Sequence, residues 1–251
     1  MGFALAKAIS GRFPEATIHV CDVRSERVAL FELELPRVQV AAGPGEVAEA
    51  AEVVFVAVKP QDIQTVLESI RETDRLVISI AAGVPIRRLE GTLARARVVR
   101  VMPNTPCLVE AMAAGYAFGS RIQPQDRDVV KQLLGAAGYA AEVEEELLDA
   151  VTGLSGSGPA FVARLIEAFI EIGRKLGLEP EVARNLSIQT FLGTAKLLAE
   201  TGMEPQTLVD MVSSPKGTTV AGRQVLESSD YVGVIEKTIQ AAAERSKELG
   251  R

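Results

Sequence analysis

Along the first 143 residues, short runs rich in Val and Ile alternate with stretches whose apolar positions recur every three or four residues. Thr17–Cys21, Val53–Val58, Leu76–Ile80 and Val98–Met102 predict strands. Between them, Ser25–Leu35, Gly45–Ala51, Asp62–Thr73 and Pro85–Ala94 carry helical spacing or helix-start signals. Tyr116–Phe118 predicts a further strand, Gln123–Gly135 a helix and Gly138–Val143 a short last strand. A strand as apolar as Val53–Val58 is usually covered on both faces, as in a parallel sheet. The alternation therefore predicts an α/β fold, a Rossmann-type doubly wound parallel sheet.

From about Glu144 no strand-like run remains. Glu145–Thr152, Pro159–Leu176, Pro180–Glu200, Thr207–Val212, Val220–Ser228 and Tyr231–Leu249 all carry helical periodicity. The expected division is a dinucleotide-binding domain over 1–143 and an all-helical domain over 144–251. Leu165, Ile166, Phe169, Ile170 and Ile172 make one wide apolar face, with Glu167, Glu171 and Arg174 outside it. Faces of this width on a helical domain predict burial against a second copy.

Composition narrows the function classes. The 251 residues are 47% apolar and 4% aromatic, without Trp, and carry a net charge of −6. With no basic block and few rings to stack on bases, a nucleic-acid surface is not expected. Cys21 and Cys107 are too few for a disulfide framework, which suits a reduced, cytoplasmic setting. No apolar run reaches a membrane-spanning length and no secretory leader is visible, so no membrane partner is expected. His19 is the single histidine, which excludes a His-based triad or a multi-His metal site.

Met1–Gly11 is small and apolar, like the first helix of a dinucleotide-binding unit. Gly2 then stands as the last glycine of a G-x-G-x-x-G turn, or as a plain residue of an amphipathic helix. The strand that should precede it and the first two glycines are missing from the pattern, so the pyrophosphate site is expected to be incomplete. Asp22 suits the ribose hydroxyls of NAD, whereas Arg24 and Ser25 suit the 2′-phosphate of NADP. The pair points both ways and leans to NADP; its plain alternative is a solvated turn with Ser25 as helix N-cap.

Val58, Lys59 and Pro60 follow a buried strand at the edge where open α/β sheets bind ligands. Lys59 alone reads equally as a surface lysine. Ala81-Ala82-Gly83 and Met102-Pro-Asn-Thr-Pro106 end two further strands at that edge, and Asn104 between prolines is placed to offer its amide to a ligand.

Two glycine-rich turns stand out in the helical half. Gly153-Leu-Ser-Gly-Ser-Gly-Pro159 reads as an anion-holding loop, or as a helix-to-helix turn with Ser157 as cap and Pro159 as first helical residue. Ser213-Ser-Pro-Lys-Gly-Thr-Thr219 reads as a loop whose amides take a carboxylate while a threonine hydroxyl addresses a nearby nitrogen, or as a plain loop.

Ala57–Pro60, Ala81–Val84, Pro103–Pro106, Asp149–Ala160 and Val212–Thr219 resemble, in order and spacing, the pyrroline-5-carboxylate reductases, and the likeness covers nearly the whole chain. The resemblance implies reduction of 1-pyrroline-5-carboxylate to L-proline, the last step of proline synthesis, with NADPH or NADH as coenzyme. It implies a helical domain that intertwines into a homodimer, with further assembly into decamers. The coenzyme would meet Gly2, Arg24, Ser25, Val58, Lys59, Pro60, Ala82, Gly83 and Asn104. The substrate would be held by Ser214, Gly217, Thr218 and Thr219 at a site completed by the partner subunit, with Thr219 as the catalytic hydroxyl. A protonated cyclic imine is already electrophilic, so no catalytic histidine or metal is required. Two further departures stand beside the missing strand: Lys216 replaces a usual glycine, and Pro44 replaces a frequent asparagine near the adenosine. The competing expectations are a related imine or β-hydroxyacid dehydrogenase, and a non-catalytic relative whose coenzyme site is lost.

Overall fold

The computed structural model describes residues 1–250. The chain runs α1 (Gly2–Arg12), β1 (Ile18–Val20), α2 (Ser25–Glu34), β2 (Val38–Val40), α3 (Pro44–Ala50), β3 (Val53–Val56), α4 (Ile63–Ser69), β4 (Leu76–Ser79) and α5 (Ile86–Thr92). It continues through β5 (Arg97–Met102), β6 (Met112–Phe118), α6 (Pro124–Gly135), β7 (Gly138–Glu142) and α7 (Leu148–Val151). Five longer or shorter helices follow: α8 (Gly158–Lys175), α9 (Pro180–Thr201), α10 (Pro205–Met211), α11 (Thr218–Glu227) and α12 (Tyr231–Leu249). Two compact units result, Met1–Pro159 with Ile239–Arg251, and Ala160–Thr238.

In the first unit β3, β4 and β5 lie parallel, with Val53 opposite Leu76 and Leu76 opposite Arg97. The period-2 alternation sends Leu76 and Ile78 to one face and Val77 to the other, and all three are buried. Ala4 and Leu5 of α1 and Val130 and Leu134 of α6 cover the first face. Ile63 and Leu67 of α4 and Leu89 of α5 cover the second. Helices on both sides explain why these strands read as unbroken Val/Ile runs.

The sheet differs from the expected parallel one beyond β5. β6 is antiparallel to β5, with Val99 opposite Phe118, and parallel to β7. Only a 3-10 turn over Thr105–Val109 and the left-handed Glu110 (φ 57°) lead towards β6. A parallel return needs a crossover of roughly a dozen residues or more, so the short link forces the reversal.

A further difference lies at the other end. β1 and β2 form a separate two-stranded parallel sheet, with Ile18 opposite Val38. Val38-Gln-Val40 was not among the expected strands because three alternating positions are too short a pattern to register. The edge of β1 away from β2, and of β3 away from β4, have no strand partner among the described residues. Helix α3 touches both β1 and β3, and Pro44 opens it at a position where a missing N–H costs nothing.

The expected helix Glu145–Thr152 and glycine loop Gly153–Pro159 are one nearly continuous helical run. A 3-10 turn over Glu145–Leu147 leads into α7, then a π-helical turn spans Thr152–Gly156, closed by the Ser157 N–H donating to the Thr152 carbonyl at 2.8 Å. The glycines here serve close packing. A Cβ on Gly153 would lie 2.6 Å from the Ile239 carbonyl oxygen, and one on Gly156 2.6 Å from the terminal methyl of Met102. This stretch therefore lacks the open amides expected of an anion-holding loop.

The same run is bound to the sheet unit. Leu148 is buried with Ile86 and Ala117. The Glu145 carboxylate accepts the Ile86 N–H at the start of α5 (2.7 Å) and the Arg100 guanidinium of β5 (3.0 Å). From α12, the Ser246 hydroxyl donates to Asp149 at 2.7 Å. The compact units divide after Pro159, and the end of α12 joins the first; the expected domain boundary at 143/144 lies inside the first unit.

The second unit is helical throughout. Phe169 of α8 and Phe191 of α9 meet edge to face at 5.0 Å. Between Ala160 and Thr238 only Ala183 and Ser187 are buried within the single chain, while Phe169 is 56% and Leu176 81% exposed. Such a unit has no core of its own, and its apolar faces need cover from another copy.

Replacing Glu145 with Ala should leave the Ile86 amide uncapped and the half-buried Arg100 unpaired. The expected loss is about 2 kcal/mol of unfolding free energy, read from urea melts; an unchanged midpoint would show that the carboxylate holds nothing.

Candidate active site

At the carboxyl ends of β3, β4 and β5 the first unit opens into a cavity of about 290 Å³. Val58, Lys59 and Pro60 form one wall; Ile80 and Ala82 continue from β4, and Met102 and Pro103 from β5. Four of the nine expected coenzyme residues, Val58, Lys59, Pro60 and Ala82, therefore come together. The cavity also takes in Met1 and Ala57, which were not among the expected coenzyme residues. Met102 and Pro103 were expected at this ligand-binding edge as a strand end, though not among the coenzyme residues. This is the edge at which open α/β sheets take ligands, and the size suits the ring end of a dinucleotide. Lys59 makes no ion pair among the described residues, so its ammonium is free for an anionic group.

Gly2 is the first residue of α1, and a Cβ there would lie 2.9 Å from the Cβ of Ala57. Its bareness lets the helix start close against the end of β3, the part played by the last glycine of a dinucleotide turn. The fit to a nicotinamide coenzyme is thus good at the ring end. At the pyrophosphate the Gly-x-Gly turn is absent from the described residues.

Gly83 and Asn104 do not line the cavity, and each makes contacts within the first unit. Gly83 has φ 71°, and a Cβ there would lie 3.2 Å from the Leu249 carbonyl oxygen, so it makes a left-handed turn under the end of α12. Asn104 is buried, its amide NH₂ donating to the Ser155 carbonyl (3.1 Å) and its oxygen accepting the Ala113 N–H (2.9 Å). Both ends of the amide are therefore engaged within the unit.

Beyond β1, Arg24 is the N-cap of α2 and Ser25 its first residue, so Ser25 is not the cap. The Asp22 carboxylate accepts the Arg24 N–H at 3.0 Å and lies 3.8 Å from the Arg24 Nε. Asp22 is thus partly occupied with its own turn, while Arg24 and Ser25 stay exposed. Burial, and then the Asp22 charge, push the Cys21 thiol up, which keeps it protonated and poorly nucleophilic.

In the second unit, α10 and α11 are joined by the loop holding Ser213–Gly217. The Gly217 N–H donates to the Ser214 carbonyl at 2.9 Å, and a Cβ on Gly217 would lie 2.5 Å from Ser214 Oγ. Gly217 is the N-cap of α11, with Thr218 and Thr219 in its first turn. The first amides of a helix have no intrahelical acceptor, and the two threonine hydroxyls make no hydrogen bond among the described residues. Amides and free hydroxyls at a helix mouth can hold a carboxylate and address a polar atom beside it. Lys216 has φ 60°, a conformation that costs a side-chain-bearing residue about 1 kcal/mol relative to glycine. The Gly153 turn, once its rival for anion binding, has no such opening.

Comparison with known proteins matches the two ends of the chain to two family models. Residues 145–249 match the family model described as pyrroline-5-carboxylate reductase dimerisation, and residues 1–83 the one described as NADP oxidoreductase, coenzyme F420-dependent. A pyrroline-5-carboxylate reductase from Methanosarcina acetivorans is 38% identical, covering 100% of this chain and 98% of its own. Among solved structures, a pyrroline-5-carboxylate reductase from Coxiella burnetii superposes with a TM-score of 0.94 at 33% identity, over 100% of this chain and 94% of that one. The Plasmodium falciparum pyrroline carboxylate reductase, solved with NADP bound, gives 0.82 at 29% identity, over 100% and 95%.

Asn104→Ala should strand the Ala113 N–H and the Ser155 carbonyl. A drop of about 1–3 kcal/mol in unfolding free energy is expected; a variant as stable as the parent in guanidinium melts would remove the side chain from its clip role.

Proposed function

Because the chain belongs to the pyrroline-5-carboxylate reductase family, we propose that it reduces 1-pyrroline-5-carboxylate to L-proline with a nicotinamide coenzyme. The observation that carries the reading is the 38% identity with a reductase of that name along the entire chain. When bound, the coenzyme supplies a hydride to the imine carbon. The ring nitrogen gains a proton, so C=N becomes a C–N bond bearing an N–H, and charge and atoms balance.

In this reading the chain's own residues bind, orient and exclude water. Val58 and Ala82 give an apolar wall against the coenzyme ring, and Lys59 and Pro60 border it. Gly2 lets α1 approach. Gly83 and Asn104 act as supports, the one by its turn and the other by its doubly bonded amide. Arg24 and Ser25 favour NADPH over NADH; the engagement of Asp22 with the Arg24 backbone supports that preference. On the other unit, Ser214, Gly217 and Thr218 hold the substrate carboxylate. Thr219 is the catalytic hydroxyl, orienting the ring nitrogen and passing it a proton.

The exposed apolar faces of residues 160–238 support a homo-oligomer whose smallest form is a dimer, with 144–251 as its dimerisation domain. Five dimers closing into a decamer is the larger form, and light scattering distinguishes the two masses. No helix among the described residues is long and apolar enough to cross a membrane. The two free thiols, Cys21 and Cys107, fit a cytoplasmic setting.

A second reading, a relative that keeps the oligomer but binds coenzyme weakly, is favoured by the unpaired edges of β1 and β3. Fluorescence titration with NADPH and NADH separates the two: binding of NADPH at micromolar levels supports the reductase, and no binding by a folded oligomer supports the alternative. For the reductase, Thr219→Ala should lower kcat by about a hundredfold while size-exclusion elution stays unchanged. Unaltered kinetics would take Thr219 out of the site.

A further inference from the structure

We infer that Lys216 is a specificity-determining residue, its ammonium adding a charge-selective contact for the carboxylate of the bound cyclic amino acid. This rests on the reading of the Ser213–Thr219 loop as the substrate loop. Lys216 stands where two local forces oppose it. Its φ of 60° favours glycine, and it directly precedes Gly217, the N-cap of α11, where the helix dipole repels a cation. The first turn of α11 contains no acid to offset that charge. Lys216 has no ion pair among the described residues. The acids flanking the loop are already engaged: Asp210 accepts from Gln206 at 2.9 Å, and Glu227 lies 3.1 Å from Arg223. An anion at the mouth of α11 would answer both the dipole and the ammonium.

A second cation turns to the same loop. The Arg223 guanidinium reaches Ser213 Oγ at 3.4 Å, and its buried Nε, although close to Glu227, has no aligned hydrogen-bond acceptor. Lys216 and Arg223 are thus two cations carried by the loop and by the helix that follows it, beside free amides and hydroxyls. A carboxylated five-membered ring gains from that pair, whereas the same ring without its carboxylate does not. A flexible point charge of this kind adds attraction without demanding bidentate geometry, and an exposed one is screened by salt.

The test uses the whole oligomer and equilibrium binding, so that it does not depend on turnover. L-Proline and pyrrolidine are titrated calorimetrically into the parent protein and into Lys216→Gly, Lys216→Asn and Lys216→Arg, at low and at raised salt. Loss of the charge in the Gly and Asn variants should weaken L-proline about three- to tenfold, while Arg stays within about twofold of the parent. The salt dependence should flatten with the charge gone, and pyrrolidine, a cation without the carboxylate, should not bind more weakly to the Gly and Asn variants than to the parent. Lys216→Gly should also melt at a higher temperature, since it relieves the left-handed backbone. L-Proline binding equally well to all four proteins would overturn the inference and leave the substrate loop standing. A folded parent oligomer with no affinity for L-proline would overturn the loop assignment itself, and the inference with it.

Discussion

A helical unit holds its shape only where its apolar side chains leave water, and between Ala160 and Thr238 just two residues do so within one chain. Burying a Leu, Phe or Ile side chain contributes about 1.5–3 kcal/mol. Covering Leu165, Phe169 and Ile172 alone is therefore comparable with much of the stability of an ordinary domain. For this half, folding and association are one event. The loop of Ser213–Gly217 inherits that dependence, because the helices that aim it, α10 and α11, belong to the same coreless unit. The first unit is the opposite case, with a sheet sealed on both faces by its own helices.

That contrast governs what could be read from residue order alone. Strands β3, β4 and β5 and their helices were legible, since burial on two faces writes itself as Val/Ile runs between helical periods. β6 was visible only as Tyr116–Phe118, because its first half, Met112-Ala-Ala-Gly115, carries little strand preference; its pairing to β5 and β7 supplies what propensity lacks. Its reversed direction came from the length of a connection, which periodicity does not encode. The apolar face of α8 was legible as a stripe, but an exposed stripe and a core stripe have the same spacing, and only solvent exposure in the folded chain tells them apart.

The site was read unevenly for the same reason. Lys59 and Pro60 follow from a general rule about the carboxyl edge of α/β sheets, and the Ser213–Thr219 loop from its own composition. The hydrogen bonds of Asn104 were not legible because its partners, Ala113 and Ser155, lie 9 and 51 residues away, and a clip of that kind leaves no local trace. The Gly153 run misled in another way. Glycine usually marks a break, yet here the absent side chains let Ile239 and Met102 come close while the helix continues. Lys216 is the reverse: a side chain where glycine would fit better, which draws attention to what that side chain does.

The first unit is not continuous along the chain. Ser246 reaches Asp149 and the Leu249 carbonyl settles over Gly83 only after all of the intervening helices have emerged from the ribosome. During synthesis the sheet must therefore wait, with the backs of Gly153 and Gly83 uncovered, until α12 arrives to cap them. A purification tag fused directly after α12 would press on that same turn, and one fused at Met1 would meet the cavity wall, so a flexible spacer is needed at either end.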